Sequence, residues 1–150
     1  MTPVAPAGRW SRWRALSLAV LAGAVTGLGQ APFGLWSATP LGLAALTWLV
    51  ATAPGARAAL WRGLAGGAGH FVLTLHWIVE PFFVDAARHG WMAPFALVFL
   101  AGGLALFWAA AFGAAARRGA LALAVALTLA EFLRSVILTG FPWALPGHVW

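Results

Sequence analysis

Long runs of apolar residues, separated by short polar segments, are the feature that most constrains the fold of this chain. Of its 150 residues 63% are hydrophobic and only 8% are charged, and the mean hydropathy is +0.90. A soluble domain has about 25% charged residues, and a small domain leaves much of its surface in water. The chain is therefore predicted to be an integral membrane protein.

The apolar runs have the length and continuity of membrane-spanning helices. A bilayer core about 30 Å thick takes roughly 20 helical residues to cross. Only helices or closed barrels satisfy their backbone in lipid, and these runs lack the alternation of barrel strands. The sequence therefore predicts an all-α, polytopic transmembrane bundle of about five spans. A basic leader, residues 1–14, precedes predicted spans at about 15–33, 35–53, 63–84, 91–115 and 120–138. Small-residue sets at 66–69 and 101–103, in the third and fourth spans, are predicted to let helices pack closely.

Three features of the N-terminal half refine this prediction. The first span, with arginines before it and "GQA" near its end, also has features of a cleaved signal peptide. The apolar run that follows at once favours an uncleaved helical hairpin instead. Pro40 is expected to interrupt the second span, and residues 54–62 are expected to form a short basic loop.

The arginines give the predicted orientation of the bundle. All nine basic residues are arginine, and seven lie in the leader, in residues 54–62 and in the turn at Arg117 and Arg118. These segments are alternate loops of the predicted bundle, and alternate loops lie on the same side of the membrane. Because short basic loops stay in the cytoplasm, the N-terminus is predicted to be cytoplasmic and the C-terminal phrase to lie outside. Arginines scattered between apolar runs do not form the wetted basic stripe of a nucleic-acid-binding protein, so no nucleic-acid partner is predicted.

Glu131 and Arg134 are two ionisable residues inside an apolar run. Three positions apart on a helix, they share a face and can form an ion pair. Charged side chains at such depth usually face a bundle interior or a polar cavity. Two interpretations remain open: a structural ion pair between helices, with Arg134 extending outward, or part of a lipid-headgroup or substrate pocket at the outer face.

The remaining polar residues give weaker signals. Glu80 precedes Pro81, so it is expected where the third span frays, either solvated or in contact with a substrate or a partner domain. His70 and His76 are six positions apart and lie on different helix faces. No metal or cofactor is therefore predicted. The chain contains no cysteine, and no nucleophile–base motif can be assembled from its residues.

The C-terminal stretch "AEFLRSVILTGFPWALPGH", residues 130–148, resembles the signature of bacterial apolipoprotein N-acyltransferases. In that family a Glu-x-x-Arg helix end runs into Thr-Gly-Phe-Pro-Trp. Residues 27–46 and 67–95 are similar to the family's first hairpin and its glycine-rich third span. The chain departs from the family pattern at His76, where a second aromatic residue is frequent, and at Ser135, often glycine.

The resemblance implies an enzyme of the bacterial inner membrane. It would transfer an acyl chain from a phospholipid donor to the α-amino group of a diacylated lipoprotein acceptor, by a two-step route. The chemistry would belong to an extracytoplasmic, nitrilase-like domain with a Glu-Lys-Cys triad. This chain has neither cysteine nor lysine, so it is predicted to be an N-terminal part that lacks the catalytic domain and is inactive alone.

Within the chain, the site residues implied by the resemblance and the motifs are not catalytic. They are predicted to shape the outer-face region, in structural or substrate-facing roles: Glu131, Arg134, Phe141, Pro142, Trp143, Trp77 and Glu80. The alternative function is a non-enzymatic small membrane transporter or assembly scaffold. A transporter is expected to have broken helices in two matching halves, and the sequence has no matching half.

Overall fold

The computed structural model describes residues 12–137 and 140–150. Most of the predicted leader and the last residue of the fifth predicted span lie outside the described residues. The described residues form helices joined by turns, and no strand occurs among them, which confirms the all-α prediction. The six α-helices are α1 (Arg12–Gly27), α2 (Ala38–Ala51), α3 (Ala56–Thr74), α4 (Ala86–His89), α5 (Ala93–Ala115) and α6 (Ala120–Val136); 3-10 segments cover His76–Phe83, Gly90–Met92 and Pro146–Val149.

Helix α3 is the centre of the bundle. It packs against α1 on one side and α5 on the other, while α2 packs on α1 and α6 packs on α5. The contacts are close because their surfaces consist of small residues, as the sequence predicts for Gly66–Gly69. A Cβ atom added at Gly23 of α1 would overlap the carbonyl oxygen of Gly66, and one at Gly69 would overlap that of Val20.

The second predicted small-residue set behaves differently. Ala101 is buried, but Gly102 and Gly103 of α5 have nothing within 4 Å of an added Cβ atom. A helix turns successive side chains by about 100°, so only part of a short contiguous set can face one neighbour. The expectation that residues 101–103 all serve helix packing is therefore wrong for the two glycines.

The helix boundaries differ from the predicted spans at several places. Helix α1 ends at Gly27, six residues before the predicted end of the first span. The basic loop predicted at residues 54–62 is mostly helical, because α3 begins at Ala56 directly after Pro54 and Gly55 and its first turns consist of good helix formers. Pro40 does not interrupt α2, since it lies in the first turn, where no backbone N–H is needed. The α-helix of the third predicted span ends at Thr74 and continues as the 3-10 segment His76–Phe83, which contains Pro81.

Among the described residues, one continuous helical stretch is long and apolar enough to cross a membrane by length and composition. It runs over Ala86–Ala115, 30 residues that include α4 and α5. Helix α2 is a shorter apolar helix of 14 residues.

Candidate functional site

The predicted ion pair between Glu131 and Arg134 is present near the end of α6. The carboxylate atom Oε2 of Glu131 accepts hydrogen bonds from Nη2 of Arg134 at 2.6 Å and from Nε at 3.1 Å. The Arg134 side chain is only 1% exposed and that of Glu131 is 13% exposed. The ion pair of the first interpretation is therefore present, but its expectation that Arg134 extends outward is wrong, because Glu131 and backbone carbonyl groups hold the guanidinium inside the bundle.

A third residue completes the hydrogen bonding of the carboxylate. Trp108 of α5 is fully buried, and its indole Nε1 donates to Oε1 of Glu131 at 2.7 Å. Trp108 thus donates to one oxygen of Glu131, and Arg134 donates to the other. A buried carboxylate is stable when a cation and further donors surround it, and this arrangement provides both.

Arg134 also holds the backbone that follows α6. Its Nη1 donates to the carbonyl oxygens of Phe141 at 2.8 Å and Trp143 at 2.9 Å, and its guanidinium lies 5.0 Å from the ring centroid of Phe71. The chain can turn back toward Arg134 because Gly140, four residues after the end of α6, has a left-handed φ of +79°. An added Cβ at Gly140 would overlap the carbonyl oxygen of Ser135, so glycine is needed there.

Two further side chains bind neighbouring carbonyl groups of this segment. His70 of α3 is fully buried and its Nε2 lies 2.9 Å from the carbonyl oxygen of Ala144, and Nε2 of Gln30 donates to that of Leu145 at 2.7 Å. We call Gln30, His70 and Arg134, which lie on three separate parts of the chain, the carbonyl clamp. It holds residues 141–145 against the bundle.

The environment of His70 defines its tautomer. A carbonyl oxygen only accepts hydrogen bonds, so Nε2 carries the proton and Nδ1 is bare. The imidazole stacks on Trp108 with ring centroids 5.0 Å apart and an interplanar angle of 18°. Its buried Nδ1 has no hydrogen-bond partner in the described part of the chain. Trp108 thereby connects His70 on one ring face to Glu131 at the indole nitrogen.

The other predicted site residues lie toward the surface of the same region. Trp77, in the 3-10 segment after α3, contacts Trp143 edge-on with ring centroids 6.0 Å apart, and both indoles are about half exposed. Phe141 is partly buried, Pro142 is exposed, and Glu80 is exposed and has no ion pair with any described residue. These contacts link Glu131, Arg134, Phe141 and Trp143 with Trp77. Glu80 lies three positions after Trp77 in the same 3-10 segment.

Three residues that bind Glu131 or the C-terminal segment are absent from the set of site residues predicted from the sequence. They are Gln30, His70 and Trp108. Each is a polar or hydrogen-bonding side chain within or beside an apolar run, which is the signal that identified Glu131 and Arg134. Their partners are backbone carbonyls or a carboxylate 23 or more positions away. Sequence spacing cannot reveal a contact of that kind.

An open groove lies beside the ion pair and the C-terminal segment. It has a volume of about 530 Å³ and runs between α2, α6 and the C-terminal segment. Leu43, Leu127, Phe132 and Leu145 give it an apolar lining, and Glu131 forms part of its wall. Because most of its lining residues are apolar, the groove offers a ligand mainly apolar contact.

Residues 22–150 match the family described as the apolipoprotein N-acyltransferase N-terminal domain. Apolipoprotein N-acyltransferase of Caulobacter vibrioides is 43% identical over 155 residues, an alignment that covers 94% of this chain and 29% of the relative. The proteins of the same name from Rhodopseudomonas palustris and Brucella suis are 38% and 36% identical, with 91% and 92% of this chain covered. This chain spans less than a third of the length of these curated relatives.

Proposed function

The chain belongs to the apolipoprotein N-acyltransferase family, and from that membership we propose that it forms the membrane part of such an enzyme. The complete enzyme would transfer an acyl chain from a phospholipid to the N-terminal amine of a diacylated lipoprotein. The observation that carries the proposal is the family match over residues 22–150, which includes every residue of the carbonyl clamp. The match favours this function over a transporter or a scaffold.

Location in the bacterial inner membrane is supported by the distribution of polar and apolar side chains. On α6 the charged Arg134 is buried, while Leu121 and Phe132 are 79% and 62% exposed. On α5 Phe99 is 74% exposed. Apolar surface in contact with water is unfavourable by about 25 cal/mol per Å², and lipid removes this cost. A bundle that encloses its mid-helix ion pair and turns apolar side chains outward is thus suited to a bilayer.

We propose five crossings with the N-terminus in the cytoplasm and the C-terminal phrase at the periplasmic face. Arginines flank the start of α1, the connection from α2 to α3 and the turn from α5 to α6. Successive antiparallel helices bring these three places to one side of a bundle, and basic segments near helix ends favour the cytoplasmic side. The segment between α3 and α5 contains Glu80, Asp85 and a single arginine, Arg88, which suits the opposite side.

The proposed orientation predicts a labelling pattern for single-cysteine variants, since the chain has no native cysteine. Ala87→Cys, between α3 and α5, should react with a membrane-impermeant maleimide in spheroplasts. Ala120→Cys, at the start of α6, should react only after the membrane is permeabilised. Both substitutions are at exposed alanines and preserve every charge. Labelling of Ala120→Cys in intact spheroplasts would contradict the orientation.

The proposed site residues position the C-terminal segment and do not perform chemistry. Glu131 and Arg134 hold the segment through its carbonyl groups, and Phe141 packs beside them. Pro142, Trp143, Trp77 and Glu80 reach the surface there, where a substrate or a catalytic domain would approach. The adjacent groove has the apolar lining that an acyl chain requires. A Glu-Lys-Cys triad, as the family resemblance implies, would come from outside these 150 residues, which contain no cysteine or lysine.

A chimeric enzyme tests the proposed function directly. The segment of the Caulobacter vibrioides relative that aligns with this chain would be replaced by the chain, and acyl transfer to a diacylated lipopeptide would be measured in membranes. We expect the chimera to retain activity within about tenfold of the parent, a loss of no more than about 1.4 kcal/mol in transition-state stabilisation. The 150-residue chain alone should give only background turnover. A stably inserted chimera without activity would refute the proposal, as would turnover by the chain alone.

A further inference from the structure

A second cavity lies at the arginine-rich end of the bundle, away from the carbonyl clamp. It has a volume of about 570 Å³ and is formed by the start of α1, the turn before α3 and the first two turns of α3. Three arginines line it: Arg12, Arg57 and Arg62. Leu16 and Trp61 add an apolar wall next to these cations. A lining with cations on one side and apolar side chains on another fits an amphipathic anion.

No carboxylate side chain of the protein neutralises this cavity. The chain has three acidic side chains, and none lies within ion-pair distance of Arg12, Arg57 or Arg62. Glu131 is paired with Arg134, while Glu80 and Asp85 lie in and just after the segment His76–Phe83. None of these 150 residues therefore supplies a counter-charge to the cavity.

The three arginines have different tasks. Arg62 donates to the carbonyl oxygen of Leu49 and to Oγ1 of Thr52, so it is engaged at the end of α2. Arg12 and Arg57 are exposed and come from two different helices. Pro54 and Gly55, which precede α3, also line the cavity, so the positive end of the α3 dipole adds to the same field. These features favour a compact multivalent anion such as a phosphate group.

We propose that this cavity binds the phosphate headgroup of an anionic phospholipid. The guanidinium groups of Arg12 and Arg57 hold the phosphate oxygens by paired hydrogen bonds, which suit the planar fork of arginine. Leu16 and the indole of Trp61, 39% exposed, contact the glycerol and the first carbons of the acyl chains. Basic pockets between membrane helices on the cytoplasmic side bind such headgroups. The proposal rests on the proposed membrane location, and its ligand is separate from the acyl donor at the opposite face.

Native mass spectrometry of the detergent-purified chain tests the site. Dioleoyl phosphatidylglycerol and dioleoyl phosphatidylcholine would be titrated separately, and the bound lipids would be counted. We expect one tight phosphatidylglycerol per chain and about tenfold weaker binding to the double variant R12Q/R57Q, because it loses charge-assisted hydrogen bonds to phosphate. Phosphatidylcholine should bind equally and weakly to both proteins. Inorganic phosphate at millimolar concentration should not displace the lipid, since it lacks the acyl contacts with Leu16 and Trp61.

The matched control removes the same charge from the same proposed side. The variant R117Q/R118Q changes two exposed arginines in the turn before α6, which do not line the cavity. It should bind phosphatidylglycerol like the unchanged chain. Equal weakening by both double variants would overturn the proposal in favour of diffuse charge attraction. Displacement of the lipid by inorganic phosphate would overturn it in favour of a free-phosphate site.

Failure of this site is distinguishable from failure of the proposed function. Lipid counting uses the chain alone, while the acyl-transfer test uses the chimera. A chimera that is active but a chain that binds no phosphatidylglycerol would refute only the cavity proposal. An inactive chimera together with binding that depends on Arg12 and Arg57 would refute only the enzyme proposal.

Discussion

The substitution Arg134→Met is expected to lower the free energy of unfolding by about 3–5 kcal/mol, the cost of breaking a buried ion pair by removing one partner. Arg134 is 1% exposed, and its loss leaves Glu131 as a buried anion without its cation. The carbonyls of Phe141 and Trp143 lose their donor at the same time. Denaturation in detergent micelles, followed by circular dichroism, measures the change. Methionine has a similar length and is apolar, so the volume of the site is largely kept.

The double variant E131L/R134M separates charge from packing. Removing both charges avoids an unpaired buried ion, and such replacements are often neutral or stabilising. We therefore expect the double variant to lose less stability than Arg134→Met alone, with a remaining cost from the unpaired indole N–H of Trp108. Arg88→Met, at an exposed arginine, is the control and should change stability by about 0.5 kcal/mol or less. An Arg134→Met variant as stable as this control would contradict the structural role.

Gly23→Ala and Gly102→Ala are expected to change stability in opposite directions, although both replace a glycine inside a helix. A Cβ atom at Gly23 would overlap the backbone carbonyl of Gly66, so α1 and α3 must separate, at a cost of about 1–3 kcal/mol. At Gly102 the added atom meets nothing within 4 Å, and alanine should stabilise α5 by about 0.5–1 kcal/mol. The same denaturation measurement compares the two variants.

The comparison of these two variants is informative because the atom that a Cβ at Gly23 would meet belongs to the backbone of Gly66. A backbone carbonyl within a helix cannot rotate away as a side chain can, so the clash at Gly23 has no inexpensive relief. Equal effects at Gly23 and Gly102 would mean that α1 and α3 do not pack as closely as described. A bulkier change, Gly23→Leu, should extend the loss to about 3 kcal/mol or more.

Local spacing was enough to predict part of the site. Glu131 and Arg134 are three positions apart, and the helix geometry alone brings their side chains together. The turn at Gly140 also depends on local chemistry, because glycine adopts a positive φ without strain. These predictions concern residues within ten positions of each other. Contacts over that range depend on backbone geometry that a sequence pattern specifies.

The partners of this pair were not predictable in the same way. Trp108 reaches Glu131 from another helix, and His70 reaches Ala144 across 74 positions. The interpretation of Arg134 as an outward-extending side chain failed for the same reason. Its direction depends on carbonyl groups that become available only when residues 141–145 fold back over the bundle. No property of α6 by itself distinguishes the two directions.

Helix boundaries were predictable only in part. The charges of Arg57 and Arg62 suggested a loop, but alanine, leucine and arginine all favour helix, and the turn at Pro54 and Gly55 leaves them free to form one. The arginines indicated the proposed side of the bundle for this segment, but they did not indicate whether its backbone is helical. Pro40 was a similar case, since its effect depends on whether it lies in the first turn or in the interior of α2.

The sequence by itself determined the all-α class, the apolar runs, the ion pair and the resemblance to the family. These follow from composition and from short-range patterns, which depend on the hydrophobicity and the local geometry of each segment. Only the tertiary structure decided that Gln30, His70 and Arg134 hold one strip of backbone, and that Arg12 and Arg57 line one cavity. Those arrangements depend on close packing of distant helices, which small residues such as Gly23 and Gly66 permit without indicating the partner.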